Sequence, residues 1–551
     1  MKPAFHVVHG DAGVRADLEG ALGGRFGGDF EILAHPDGDE ALAALRRDAA
    51  DGRPVAVVFS DESPRGGSAE LLTRVHELHP HARRVLLIAR GEWSKEHPAV
   101  AAMRSGQVDS YVFIPWGPLE RWLYLPVAEF LADWEASQPP QFEAARIVGE
   151  EFDARAHRLR EIFSRMGVPF GFRPPGSDEG RALLAELGLE GGDLPVLAFR
   201  SGTALVDPSH ERLAAALGFA TEPQSDRCDV VIVGAGPAGL AAAVYAASEG
   251  LQTTVIEAVL PGGQAGTSSR IRNYLGFPNG LSGRDLTNRA LEQAWFFGAR
   301  FVLSKAVTGL RPGAAGHVVE LEGGSRIEAR AVVIATGVTW HTLAAPSLQE
   351  LLGAGVYYGA AAFDVSAAGA TVFVVGGGNS AGQAAVHLAR TAASVTLVVR
   401  GEGLAASMSD YLITELAEAP NIHVRTHAEV VAGAGAGRLE RITLRDNRTG
   451  ATEQASADAL YVMVGARPQT EWLGTAVARD PQGYVLTGRD AAADVGGDWP
   501  LERPPMLMET SAPGVFAAGD VRHGSIRRVA SAVGGGSIAV QLVHMRLAEL
   551  G

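Results

Sequence analysis

Two stretches carry glycines spaced for one kind of chemistry, the cradling of a diphosphate. In DVVIVGAGPAGLAAAVYAASEGLQTTVIEA, Gly234 allows a tight turn after an apolar strand and Gly236 lets backbone approach a pyrophosphate. Gly239 lets the following helix pack closely on the strand, and that helix offers free N–H groups and a favourable dipole to an anion. Glu257, 23 residues beyond Gly234, stands where a carboxylate binds ribose hydroxyls. The pattern recurs in TVFVVGGGNSAGQAAVHLARTAASVTLVVR, with Gly376, Gly378 and Ala381 in the three roles. Its second strand ends in Arg400, 24 residues on, where an arginine suits a 2′-phosphate and disfavours a bare diol. Two such units in one chain predict a flavin and a nicotinamide, FAD and NADPH, handled together.

The thiol inventory limits what those cofactors can serve. The chain has 551 residues and one cysteine, which excludes an intramolecular disulfide, a CxxC redox pair and any multi-cysteine metal centre; no metal site is expected. Cys228 opens an apolar strand and reads as a small core residue. A net charge of −15 argues against nucleic acid or an anionic membrane as partner. The start, MKPAFHVVHGD, has no apolar signal core, and the longest apolar stretch, Cys228 to Leu260, is broken by Pro237 and Glu249. No membrane span is expected, and the default location is the cytosol.

The elements that position these residues follow from periodicity. Residues 1–135 alternate apolar runs (AFHVVHG, AVVFS, RVLLIA, DSYVFIPW) with amphipathic segments, which predicts a doubly wound parallel sheet. This segment resembles a response-regulator receiver domain, with Pro64 and Gly66 after the third strand and Pro115 after the fifth. The phosphoacceptor aspartate of that family falls on Ser60, Asp61 comes one place late and faces the other way, and the expected lysine is Ile114. The acidic pair after the first strand has thinned to Asp11, so Mg²⁺ binding and phosphoryl transfer are compromised and a structural or docking role is expected. A polar linker, EASQPPQFEAA, precedes a small α/β unit at 141–222. Its Leu194-Pro195-Val196 step and Gly202 resemble the thioredoxin or glutaredoxin fold, in which that proline is cis. The CxxC of that fold is absent from the matching stretch, EEFDARAH, so a connector or a peptide- or thiol-docking surface is expected.

From Asp226 onward the chain resembles the low-molecular-weight thioredoxin reductase family of FAD and NADPH flavoproteins. The resemblance rests on blocks in family order: GAGPAG, PGGQAGTSSRIRNYLGFP, ATG, GGGNSA, GARPQT and GVFAAGD. It implies an α/β fold with two nested Rossmann-like domains, FAD-binding at 226–345 and 462–551 and NADPH-binding at 346–461. It implies a homodimer, and the whole chain resembles bacterial fusions of a receiver with a thioredoxin-disulfide reductase. FAD contacts are implied for Pro237, Ala238, Gly262, Gly263, Gln264, Asn273, Ala335, Thr336, Gly337, Gly519, Asp520, Arg528 and Val529. NADPH contacts are implied for Asn379 and Ser380 beside the glycines. The helix beginning near Arg528 and Val529 is expected to aim its N-terminus at the flavin, where its dipole favours the anionic reduced ring.

The family's redox CxxC falls on Gly359 and Ala362 in GVYYGAAAFD. Electrons are therefore expected to enter the flavin from NADPH and to leave without an internal dithiol, to a small molecule or a redox protein. Tyr357 and Tyr358, with pKa values near ~10, offer no replacement. His523 is a candidate proton donor and Arg528 a candidate partner for anionic flavin or substrate. Two other readings stand beside this one: a redox- or NADPH-sensing regulatory flavoprotein, and a ferredoxin/flavodoxin–NADP⁺ reductase. The acidic net charge does not advertise the basic docking face the last one needs, and Arg522, Arg527 and Arg528 are the candidates for a local patch of that kind.

Overall fold

The computed structural model describes residues 1–61, 68–89, 102–103, 107–114, 118–138, 143–189, 191–268, 270–277, 280–340, 343, 345–359, 369–496 and 499–551. Pro64, Gly66, Pro115 and Ala362 lie outside the described residues. The chain divides into two compact units, Met1–Gln141 with Asp410–Pro420, and Phe142–Ser409 with Asn421–Gly551.

In the first unit five parallel strands lie in the order Glu31–His35, Ala4–Val8, Val55–Asp61, Arg83–Ala89, Ser110–Ile114. This is the 2-1-3-4-5 doubly wound order. The patterning marks four of these strands; Glu31–His35 is the exception, because its residues are mostly half-exposed at the sheet edge. Phe5, Phe59, Leu18, Leu22 and Leu123 are fully buried on one side of the sheet. Ser60, next to last in the third strand, is buried, while Asp61 at its end turns the other way and accepts from the Gly10 N–H at 3.0 Å. Asp11 caps the first helix through the N–H groups of Gly13 and Val14.

The second unit begins with a four-stranded sheet in the order Phe170–Arg173, Ala145–Val148, Val196–Phe199, Ala204–Val206. The Leu194–Pro195 peptide is cis. Its helix Ala154–Met166 starts where the Asp153 carboxylate accepts from Ala156 N–H and stops at Gly167 in the left-handed conformation. Leu159, Ile162 and Phe163 on that helix share one apolar core with Val230, Leu240 and Leu260.

The next sheet runs Arg300–Leu303, Thr253–Glu257, Arg227–Val233, Arg326–Ile334, His317–Leu321, Val307–Arg311, with Val515–Ala517 also paired to Arg326–Ile334. Its register does the positioning: Val233 pairs with Ile256 and Ile334, and Ile334 with Ala517. Gly234, Glu257, Ala335 and the Ala518–Asp520 segment therefore leave the sheet at one edge, the carboxyl ends of parallel strands where ligands of such folds bind.

A second parallel sheet has the order Val356–Tyr358, Ala459–Val462, Thr371–Val375, Ser394–Val398, Ile422–Arg425. Val375 pairs with Val398 and Val462, and Tyr358 with Val462, so Gly376, Val399, Met463 and Gly359 also leave at one edge. The antiparallel ribbon of Val338–Trp340 with Ala466–Pro468 links the two Rossmann-like parts.

Candidate cofactor site

Both glycine turns open onto a single cavity of about 1600 Å³. At the first turn Gly234 has φ 105°, and a Cβ there would run into the Ala335 carbonyl. Gly236 precedes the helix Pro237–Ser248 as its N-cap, and a Cβ at Gly236 would meet nothing closer than Gly263 Cα at 3.8 Å. The space over the helix N-terminus is therefore open to a ligand. Glu257 accepts from Ala235 N–H at 2.8 Å with one oxygen and from Val259 N–H at 3.0 Å with the other. Burial pushes its carboxyl up, against the pull of those N–H groups and of Arg165. Asp520 also lines the cavity, and burial raises its pKa against the opposing charge of Arg527.

The second turn repeats the geometry. Gly378 is the N-cap of the helix Asn379–Leu388, with Ser407 O the nearest atom to its absent Cβ at 3.7 Å. A Cβ at Gly376 would lie 2.7 Å from Met463 O. Asn379 Oδ1 accepts from Ser409 N–H at 2.7 Å, which ties the turn to the loop beyond. Arg400 is exposed, lines the cavity, and its guanidinium has no ion-pair partner among the described residues.

Most of the expected residues meet in this cavity. Its wall includes Gly234, Gly236, Pro237, Ala238, Glu257, Gly263, Gln264, Ala335, Thr336, Gly337, Gly519, Asp520, Arg528 and Val529. From the second part come Gly376, Gly378, Asn379, Ser380, Ala381 and Arg400. Gly239 and Gly262 stand behind the wall: a Cβ on Gly239 would strike Gly234 O, and one on Gly262 would lie 3.1 Å from Thr287 Oγ1. Asn273 is exposed and outside the lining, so its expected approach to a flavin has no counterpart in this arrangement. His523 is also outside it, and its Nδ1 lies 2.7 Å from Asp480 Oδ2.

Several lining residues carry no sequence signal of their own. Trp340 stands beside Gly359, which has φ 81°; a Cβ at Gly359 would sit 2.6 Å from the indole Nε1. Tyr358 accepts from Leu343 N–H and Gln349 Nε2, each at 3.0 Å, and is a structural tie. Glu161 and Arg165, from the helix Ala154–Met166, line the wall as well. Cys228 is buried away from the large cavity, and burial raises its thiol pKa to about 11. Among the described residues no cluster of His, Cys, Asp or Glu suits a metal ion, and no helix is long and apolar enough to cross a membrane.

The sequence model of the pyridine nucleotide-disulphide oxidoreductase family matches residues 228–536. The chain belongs to that family. Thioredoxin reductase of Bacillus subtilis (strain 168) is 34% identical over 326 residues, 58% of this chain and 95% of the relative. Thioredoxin reductase of Treponema pallidum (strain Nichols) is 32% identical over 311 residues, 56% of this chain and 94% of the relative. Among solved structures, T. acidophilum thioredoxin reductase matches with TM-score 0.52 and 28% identity over 59% of this chain and 100% of that chain. Lactococcus lactis thioredoxin reductase in its FR conformation matches with TM-score 0.53 and 26% identity, over 58% of this chain and 99% of that one. The α/β fold with parallel, Rossmann-like sheets and the thioredoxin-reductase-like oxidoreductase class are those of the family.

Proposed function

We propose that the chain is an NADPH-dependent FAD oxidoreductase that delivers electrons to an external acceptor without an internal dithiol. The observation that carries this reading is the shared cavity: both phosphate turns, Glu257 and Arg400 face one space. The residues fit the two cofactors. Open helix N-termini at Gly236 and Gly378 suit two diphosphates, and Glu257 keeps acceptor capacity for ribose hydroxyls beyond its two N–H bonds. Arg400, with no ion-pair partner among the described residues, suits a 2′-phosphate. Bound FAD would supply two-electron chemistry, taking a hydride from NADPH and passing electrons on.

The chain's own residues set what surrounds that exchange. Arg528 and the N-terminus of the helix Val529–Leu550 line the cavity and offer positive potential to a developing anion. Gly359, buried beside Trp340, leaves no room for a thiol at that point, and the lone Cys228 is elsewhere. The exit for electrons is thus an acceptor that reaches the cavity itself, a small oxidant or one redox protein. The reading assigns 226–345 and 462–551 to FAD, 346–461 to NADPH, and treats 1–135 and 141–222 as receiver-like and thioredoxin-like units without their chemical residues. The 2-1-3-4-5 sheet with Ser60 buried near the end of its third strand supports the first of these.

An acceptor screen under NADPH tests the reading. Quinones, ferredoxin or low-molecular-weight oxidants should be reduced, whereas thioredoxin disulfide should not. Turnover of thioredoxin at least as fast as of any other acceptor would refute the dithiol-free exit.

A further inference from the structure

The helix Ala154–Met166 belongs to the segment preceding the family-matched residues, yet its last turn reaches the wall of the first dinucleotide turn. Arg165 Nη2 donates to Gly263 O at 3.2 Å and to Leu260 O at 3.5 Å. Its Nη1 lies 3.7 Å from Glu161 Oε1, one helical turn back. The side chain is 16% exposed and lines the cavity. Its Nε is buried without a hydrogen-bond partner, so one donor of the fork is unused.

Two facts place this cation against the phosphate turn. Gly263, whose carbonyl Arg165 grips, packs directly on Gly236: a Cβ at Gly263 would lie 2.9 Å from Gly236 Cα. Arg165 also acts electrostatically on Glu257, the carboxylate of the ribose position. The guanidinium thus holds the loop packed on the diphosphate cradle and acts on the ribose carboxylate.

The helix that carries it is held at both ends. Leu159, Ile162 and Phe163 share a core with the first Rossmann-like sheet. At its start, a Cβ at Gly353 would lie 2.7 Å from Ala154 Cα, and His157 packs on Tyr357 with ring centroids 5.0 Å apart. A guanidinium on so anchored a helix is preorganised, and binding an anion costs it little ordering entropy.

We propose that Arg165 is a binding residue for the diphosphate–ribose portion of the dinucleotide held at the Gly234 turn, supplied in cis by the thioredoxin-like unit. The proposal rests on the reading that this turn holds FAD. It gives the unit, which lacks its own CxxC, a role as a fixed wall of the cofactor cleft.

The test is titration of apoprotein with FAD, followed by flavin fluorescence, in the wild type, Arg165→Met and Arg165→Lys. Arg165→Met keeps the aliphatic stem and should weaken FAD binding about tenfold, with the ratio shrinking as salt screens the lost charge. Arg165→Lys should recover part of the affinity, and NADP⁺ binding should be unchanged in both variants. Wild-type affinity in a folded Arg165→Met protein, its thermal midpoint checked without FAD, would overturn the proposal. So would a loss that is independent of salt and unrelieved by lysine, which would make Arg165 a support for the 260–263 loop only. Absence of FAD binding in the wild type would overturn the underlying reading and this proposal together.

Discussion

At the scale of single residues, Gly359 separates this chain most sharply from a dithiol enzyme. Its positive φ and the Trp340 indole 2.6 Å from the Cβ position both oppose a side chain. Gly359→Cys should therefore destabilise the protein by about 1–3 kcal/mol and should not confer disulfide reductase activity; a stable, active Gly359→Cys protein would contradict the account. Arg400 makes the complementary prediction. Arg400→Ala should cut the preference for NADPH over NADH about tenfold, chiefly through the NADPH KM, as steady-state kinetics with both nucleotides will show. An unaltered preference would mean that the exposed guanidinium contacts solvent alone. These two positions also show how far a linear reading reaches. The glycines of both turns and Arg400 were legible because strand, turn and helix are local, whereas Trp340 meets Gly359 only through tertiary packing.

At the scale of elements, strand register decides which motifs share a site. Val233, Ile256, Ile334 and Ala517 are aligned across neighbouring strands, so blocks far apart in sequence leave the sheet together. Gly239 shows what this packing demands. Gly239→Val would drive a side chain into Gly234 O, part the helix Pro237–Ser248 from its strand and abolish FAD retention. Recovery of a purified variant with full flavin content would contradict that prediction. The same scale shows two residues of the cofactor blocks placed outside the cavity lining. Asn273 and His523 sit in the right blocks, but one is exposed on a loop and the other is drawn to Asp480 on a separate segment. Arg165 was invisible for the opposite reason: its helix precedes every cofactor motif, and only the shared core brings it to the cleft.

For the whole molecule, histidines that are buried or half-buried set an acid limit. Burial lowers His157, His317 and His387 to about 4, and nearby arginines add to the effect. In the unfolded chain the same groups titrate near ~6.5 and bind protons that the folded state refuses. Stability is then full above pH ~6.5 and falls as pH drops toward 4, by about 1 kcal/mol per histidine at pH ~5.5. Thermal midpoints measured across that range should decline, and a flat profile would contradict the burial of these rings. The central claim concerns the shared cavity and the missing dithiol together. Anaerobic stopped-flow mixing of the FAD-loaded protein with NADPH tests it most directly. The oxidised-flavin band should bleach within the turnover time, and one NADPH per flavin should suffice for complete reduction. No bleaching on that timescale, or uptake of a second equivalent before the flavin is fully reduced, would contradict it.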